Sequence, residues 1–461
     1  MRNMIISICI IGLFLELSGL IWSTKSDKPS EAFVRLSAPP TRSIERPLDN
    51  GYFLLLGMAA SQSANPVQTG YDIWLEAGAR PTEQRFDLDK PGRTELRLPV
   101  AFDRAVPEWH AADPLAEFQN KDASFRLSAP LYAPLVTRYE QWLRMRFEDW
   151  GYGRLGSPRI EELIAAHRLF VATGFVDQVR TGLDRLTLDI AKWRTVLREA
   201  RTLPIKMLAT VMIEDNVELL SRILSQTTVD KHVMAQGLNL LQPLTAIEYS
   251  LRWPIQNEFM MGYQDSRKDS ITGLRQQQSD TPELATVTTL AHLPADAFHN
   301  IVHPASHTGL WLTSNRQRTW DTYASFYDAT IKTAETIHSP LPRLRDIAKQ
   351  SQRTFLERLA DPMEFDPQWE LFSQRLVETD ARLRLVSLQI LMRKPTATAT
   401  IPTRLAEVGS MYFDPFTGLP MLWSPTQKKL YSTGKDRLDD GGDLNFDISV
   451  PLPPTLITPA S

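Results

Sequence analysis

The chain has 461 residues, 43% of them hydrophobic, and its 51 Lys and Arg against 54 Asp and Glu leave a formal charge of −3. That length points to more than one domain, and the near balance of charge excludes the basic footprint of a nucleic-acid binder. Cys9 is the only cysteine, which removes disulfides, cysteine nucleophiles and cysteine-based zinc sites from everything after it and suits an oxidising compartment such as a periplasm.

Met4 to Trp22 is an apolar run broken by one charge, Glu16, with Arg2 before it and Lys25 and Lys28 after it. As a helix it would reach ~28 Å, close to the ~30 Å hydrocarbon core of a bilayer. The run is longer than a signal-peptide core, and no Ala-x-Ala follows it. Residues 1–24 therefore read as an uncleaved transmembrane anchor rather than a cleaved signal. Basic residues flank both ends, so charge does not fix the orientation. The thiol-free body favours an inner-membrane, single-pass protein facing the periplasm.

Residues 25–48, rich in Pro, Ser and charge, read as a linker. Residues 49–375 read as a mostly α-helical body. Short helical patterns cover Gly51 to Ala60 and Pro66 to Ala77. Leu131, Leu135, Tyr139, Trp142 and Leu143 make an apolar stripe at helical spacing. Ser157-Pro158 followed by Glu161 and Glu162 starts a helix, because proline suits a first turn and acids suit the positive end of the dipole. Further helices are expected at about 183–201 and 204–226. Thr245 and Glu248 form a capping box for another, which Pro254 should kink or stop. After a polar stretch at 264–318, helices resume at about 319–338, 342–360 and 367–393. No repeat of solenoid length is present.

Two constellations carry possible chemistry. His292, His299, His303 and His307 fall within sixteen residues, and His299, His303 and His307 at spacings of four would share one face of a helix as zinc ligands. Pro304 interrupts that helix, and no His-Glu-x-x-His pattern accompanies it, so the row reads as a polar loop first and a metal site second. Nucleophile-elbow and phosphate-loop motifs are absent from the sequence. The second constellation is the tail. A helix at 381–394 precedes two strand-like runs, Met421 to Ser424 and Lys429 to Ser432, around a Pro-Thr-Gln turn, as in a hairpin. An acidic glycine-bearing loop follows, with Asp436, Asp439, Asp440, Asp443 and Asp447, the oxygen-rich composition that calcium takes.

Asp-Pro-Phe-Thr-Gly-Leu-Pro at 414–420, followed by Leu-Tyr-Ser-Thr-Gly-Lys-Asp at 430–436, resembles the C-terminal module of the major pseudopilin of type II secretion. The likeness covers about 70 residues, from 381 to 448. It implies a helix, a hairpin and a calcium-binding loop, with Asp436, Asp443 and Asp447 as ligand candidates; Arg437 stands where that family has glycine. The N-terminus lacks the prepilin pattern, so the chain is not itself a pseudopilin. As a whole, and in the stretches from Asp189 to Arg194 and from Lys206 to Ala209, it is similar to membrane-anchored proteobacterial proteins that end in this module. That resemblance implies no particular activity.

The expected fold is mainly α: an N-terminal transmembrane helix, a helical-bundle body and a small C-terminal α+β helix-and-hairpin module over 376–461. The leading functional expectation is a non-enzymatic envelope scaffold that meets the membrane through residues 4–22 and other envelope proteins through its body or tail, without nucleic acid. The alternatives are a periplasmic metal-dependent hydrolase using the histidine row and a helical ligand-binding module.

Overall fold

The computed structural model describes residues 28–79, 96, 107–154, 158–226, 231–269, 316–334, 368–393 and 400–453. The anchor segment 4–22, the helix expected at 342–360 and His292, His299, His303 and His307 lie outside them. Among the described residues, no helix is long and apolar enough to cross a membrane. The chain is mostly α-helical, with one three-stranded antiparallel sheet near its C-terminus, and it divides into two compact units that are each discontinuous in sequence.

The smaller unit joins residues 1–41 to 250–370. Its described helices are α1 (Glu31–Ser37) and two longer ones, Arg252–Asp269 and Arg316–Ala334. Linker composition led to the expectation of a tether at 25–48, yet Ser30 caps α1 through a bond from Phe33 N, and Phe33 and Leu36 are buried. Phe33 meets the rings of Phe259 and Tyr263 edge-on at 5.7 and 5.1 Å, and Phe259 meets Trp320 at 5.6 Å. Such edge contacts are the favoured aromatic geometry. Asp321 accepts from Ser30 N at 2.8 Å, and Arg35 pairs with Asp328 at 2.7 Å. Pro254 sits in the first turn of helix Arg252–Asp269. The helix expected after Thr245 stops at Tyr249, and Pro254 stands in the opening of the next one, where a first turn needs no N–H from that residue. The capping box has the predicted form: Thr245 N donates to Glu248 Oε2 at 2.8 Å ahead of the single turn Ala246–Tyr249.

The larger unit joins residues 42–249 to 371–461. In chain order it holds α2 (Gly51–Leu56), α3 (Pro66–Ala79), α4 (Pro114–Leu127), α5 (Ala129–Arg144), α6 (Ile160–Asp177), α7 (Val179–Glu199), α8 (Leu203–Gln226) and α9 (Lys231–Leu240). The turn Ala246–Tyr249 follows, then most of helix Gln368–Leu391 and the short helix Ile401–Glu407. Helices α2 and α3 touch backbone to backbone at paired glycines. A Cβ on Gly70 would lie 1.8 Å from Phe53 O, and one on Gly57 would lie 1.9 Å from Pro66 O. Backbone cannot move aside as a side chain can, so Gly70→Ala should lower stability by about 1–3 kcal/mol, read from its urea midpoint. An unchanged midpoint would show that the two helices can separate freely.

Helix α5 buries Tyr132, Leu135, Tyr139, Trp142 and Leu143, while Leu131 is exposed. The expected stripe is thus right except at its first member, where the neighbouring tyrosine turns inward. Helix α7 buries Leu183, Leu186, Ile190, Trp193, Val196 and Leu197 at helical spacing. Most side chains of α8 are buried, which makes it the central helix of the unit. Helix α6 packs on α5 and α7, and α8 packs on α7.

The tail belongs to this unit rather than forming a separate module. Gln389 donates to Pro451 O at 2.5 Å, Ser387 to Leu241 O at 2.8 Å, and Thr379 to Glu214 at 2.6 Å. The predicted hairpin is present as β1 (Leu422–Ser424) and β2 (Lys429–Ser432). A third strand, β3 (Ile448–Pro451), pairs antiparallel with β2, Ser432 opposite Ile448 and Lys429 opposite Pro451. The helix-plus-hairpin expectation is therefore corrected to a three-stranded sheet. Pro451 ends β3, which is an edge strand of this sheet, where a missing donor is tolerated.

Candidate functional site

A dense set of ionisable groups lies where α5, α6, α7 and α8 meet, around His167. Asp189, on α7 and fully buried, accepts from Tyr139 Oη at 2.5 Å, from Asn216 Nδ2 at 2.6 Å and from His167 Nδ1 at 2.6 Å. Trp193 Nε1 donates to Tyr139 Oη at 2.7 Å. The other imidazole nitrogen, Nε2, faces Asp215 Oδ2 at 3.3 Å. Arg168 grips Asp215 through two bonds of 2.9 Å, the fork-to-fork geometry that suits guanidinium and carboxylate. Near solvent, His110 faces Asp215 at 3.6 Å and Glu218 at 3.5 Å, and Arg222 pairs with Glu218 at 2.7 Å.

Charge in this chain of groups follows from those neighbours. Burial alone would push the His167 imidazole down. The Asp189 carboxylate, its hydrogen bond and the bonds and charge of Asp215 outweigh burial and raise it to about 9. Burial would likewise raise Asp215, but bonds from His167 and Arg168 hold its carboxyl well below the usual range. At neutral pH His167 is therefore an imidazolium donating from both nitrogens to two carboxylates. Trp109 covers it, its ring centre 5.5 Å from the imidazole and its Nε1 donating to Asp215 O at 3.2 Å. An imidazole with both nitrogens committed does not serve as a general base. This arrangement binds four helices together through ionic hydrogen bonds.

A second buried acid pair follows α5. Asp149 accepts from the N–H groups of Gly151, Arg201 and Thr202 and from the Thr202 hydroxyl, at 2.7 to 2.9 Å. Arg201 and Thr202 immediately precede α8, so this carboxylate faces the positive end of that helix. Glu148 accepts from Ser43 N and Ile44 N and pairs with Arg201 at 2.7 Å. Both acids are used in holding the chain together.

The calcium candidates lie in the β2–β3 connection, residues 433–447. Asp436 Oδ1 accepts from Leu438 N at 3.1 Å, and Asp443 Oδ1 accepts from Asn445 N and Nδ2 at 2.9 Å. Asp447 Oδ2 accepts from Gly442 N at 2.8 Å, while its Oδ1 has no partner among the described residues. Among the described residues no three His, Cys, Asp or Glu side chains gather as a metal-holding group, so Asp436, Asp443 and Asp447 do not converge. Arg437 adopts φ 62°, the left-handed region that favours glycine. Asp414 fixes the start of the loop, accepting from Thr433 N and its hydroxyl at 3.1 Å and from Phe416 N at 2.9 Å.

No protein-family model, curated protein or solved structure matches the chain.

The His167 network was not singled out from the sequence, although a signal exists. His167, Asp189 and Asn216 each stand at helical spacing from apolar residues that turn inward, namely Leu163 and Phe170, Leu186 and Trp193, and Met212 and Leu220. A polar residue within such a stripe is a buried polar residue, which needs a partner.

Proposed function

We propose that this chain is a non-enzymatic scaffold of a bacterial envelope, held in the inner membrane by residues 4–22, with its body in the periplasm and its tail as a contact element. The supporting observation is the β2–β3 loop. Asp414 staples its start into the larger unit and Gln389 holds the strand that follows it, so the loop presents its exposed groups from two fixed ends. The buried ionisable groups around Asp189 and Asp149 join helices and chain segments, which is the use a scaffold makes of them. The left-handed Arg437, at the position where the pseudopilin module carries glycine, supports the likeness in the tail.

The test is recovery from membranes. The full chain should stay in the membrane through an alkaline carbonate wash, and cross-linking from the tail should recover a defined protein partner. A mature chain that begins near Thr24, is found in the soluble fraction and cross-links to nothing would overturn the reading.

A further inference from the structure

The loop 433–447 differs from the rest of the described surface in carrying three large apolar side chains turned to solvent: Leu438, Leu444 and Phe446 are 63, 69 and 57% exposed. Its ends are paired at Ser432 and Ile448, and Gly434 lies so close to the chain that a Cβ there would meet Phe446 O at 2.4 Å. Tyr431 Oη holds Asp439 at 2.8 Å, and Gln427 holds Gly441 O at 3.2 Å. The apolar groups are thus displayed on a closed, internally bonded Ω-type loop, and little ordering entropy remains to be lost when something binds them.

Charge narrows what binds. Five aspartates, 436, 439, 440, 443 and 447, outnumber Lys435 and Arg437, for a loop charge of −3 (2 − 5). Among the described residues, neither Lys435 nor Arg437 forms an ion pair with any of the five. Asp447 is only 3% exposed and has one carboxylate oxygen without a donor. Burial raises its carboxyl, the charges of Asp440 and Asp439 add to the rise, and the backbone N–H groups of Gly442 and Asp440 oppose it. The loop therefore combines apolar anchors with negative charge that no ion pair within it compensates.

We propose that loop 433–447 is the docking surface for a basic amphipathic segment of a partner protein, its apolar face on Leu438, Leu444 and Phe446 and its Lys or Arg groups among the aspartates. This rests on the scaffold reading and names the partner class. Charge complementarity favours such a segment over an anionic lipid surface, which the loop repels.

The probe is a fluorescent amphipathic Lys/Leu peptide, with a Glu/Leu peptide of the same pattern as control, titrated by anisotropy against the full chain in EDTA. The Lys/Leu peptide should bind with an affinity that falls as salt rises, and the Glu/Leu peptide should not bind. Leu438→Ser with Phe446→Ser should weaken binding about tenfold or more, as loss of central anchors does. Asp440→Asn with Asp443→Asn should weaken it and flatten the salt dependence. These positions are exposed, and an unchanged melting curve will separate lost contact from lost fold. Equal binding by the apolar variant, binding that appears only when calcium replaces EDTA, or binding to anionic vesicles in place of the peptide would each overturn the proposal. If membrane cross-linking recovers a partner regardless of these substitutions, the scaffold reading survives and the docking surface is wrong.

Discussion

Asp189→Ala should destabilise the larger unit by about 3–5 kcal/mol, the range found when one partner of a buried ionic cluster is removed. One carboxylate on α7 serves donors from three other helices, Tyr139, His167 and Asn216. The alanine leaves a buried hydroxyl and a buried amide without their acceptor, and His167 keeps only Asp215. The loss should depend on pH. The folded His167 titrates near 9 and the unfolded near 6.5. A raised folded value contributes stability that is full below pH 6.5 and disappears as pH climbs through 9, by at most about 3 kcal/mol. Removing Asp189 takes away the largest cause of that rise. The deficit against wild type should therefore be largest at pH 6 and smaller at pH 9.5. Urea unfolding followed by fluorescence suits the measurement, since Trp142 and Trp193 lie fully buried beside the network. A loss under about 1 kcal/mol at pH 6 would mean that the helices are held by apolar packing alone.

That network also marks where reading the sequence reaches its limit. Helices α5, α7 and α8 are legible because large apolar residues recur every three or four residues along each, and the observed bounds of α7 and α8 lie close to those expected. Periodicity says which residues turn inward. It does not say which helix they meet, so a buried Asp189 is foreseeable while its partners on α5, α6 and α8 are not. The tail shows the opposite balance. Hairpin and turns are local and legible, whereas β3 joins the sheet only across the long loop 433–447, a pairing that no local pattern announces. Residues 31–37 failed for a third reason. Linker composition around them masked Phe33 and Leu36, spaced for one helical face, and Phe259 and Tyr263, the ring partners of Phe33, lie more than two hundred residues away. For the histidine row at 292–307 the sequence offered spacing without a fold around it, and those residues lie outside the described structure.

Lys206→Met should stabilise the chain, and the gain should fade as pH rises. Lys206 sits in the first turns of α8, 1% exposed, with its Nζ donating to Leu197 O at 2.9 Å. Burial pushes its ammonium down to about 7, and the attraction of Glu248 offsets only part of that. A lysine depressed in the folded state binds its proton less well there than in the unfolded chain. Its cost is therefore full below pH 7 and shrinks until both states are neutral above about 10.5. At pH 6 that cost is about 4–5 kcal/mol at most. Methionine, of similar length and without charge, removes it and gives up one hydrogen bond worth about 1–2 kcal/mol. The expected net gain is about 3 kcal/mol at pH 6 and close to zero by pH 9. Wild-type stability alone would not reveal this. Between pH 7 and 9 the folded protein loses what the His167 imidazolium contributes while it regains what Lys206 costs, so the two slopes oppose each other. Lys192, brought down to about 8 by burial, adds to the Lys206 side. The difference between variant and wild type, measured by urea unfolding at several pH values, isolates Lys206. It should fall steadily from pH 7 to 9. A difference independent of pH would mean that Lys206 keeps its charge in the folded state and that its ammonium is solvated by partners besides Leu197.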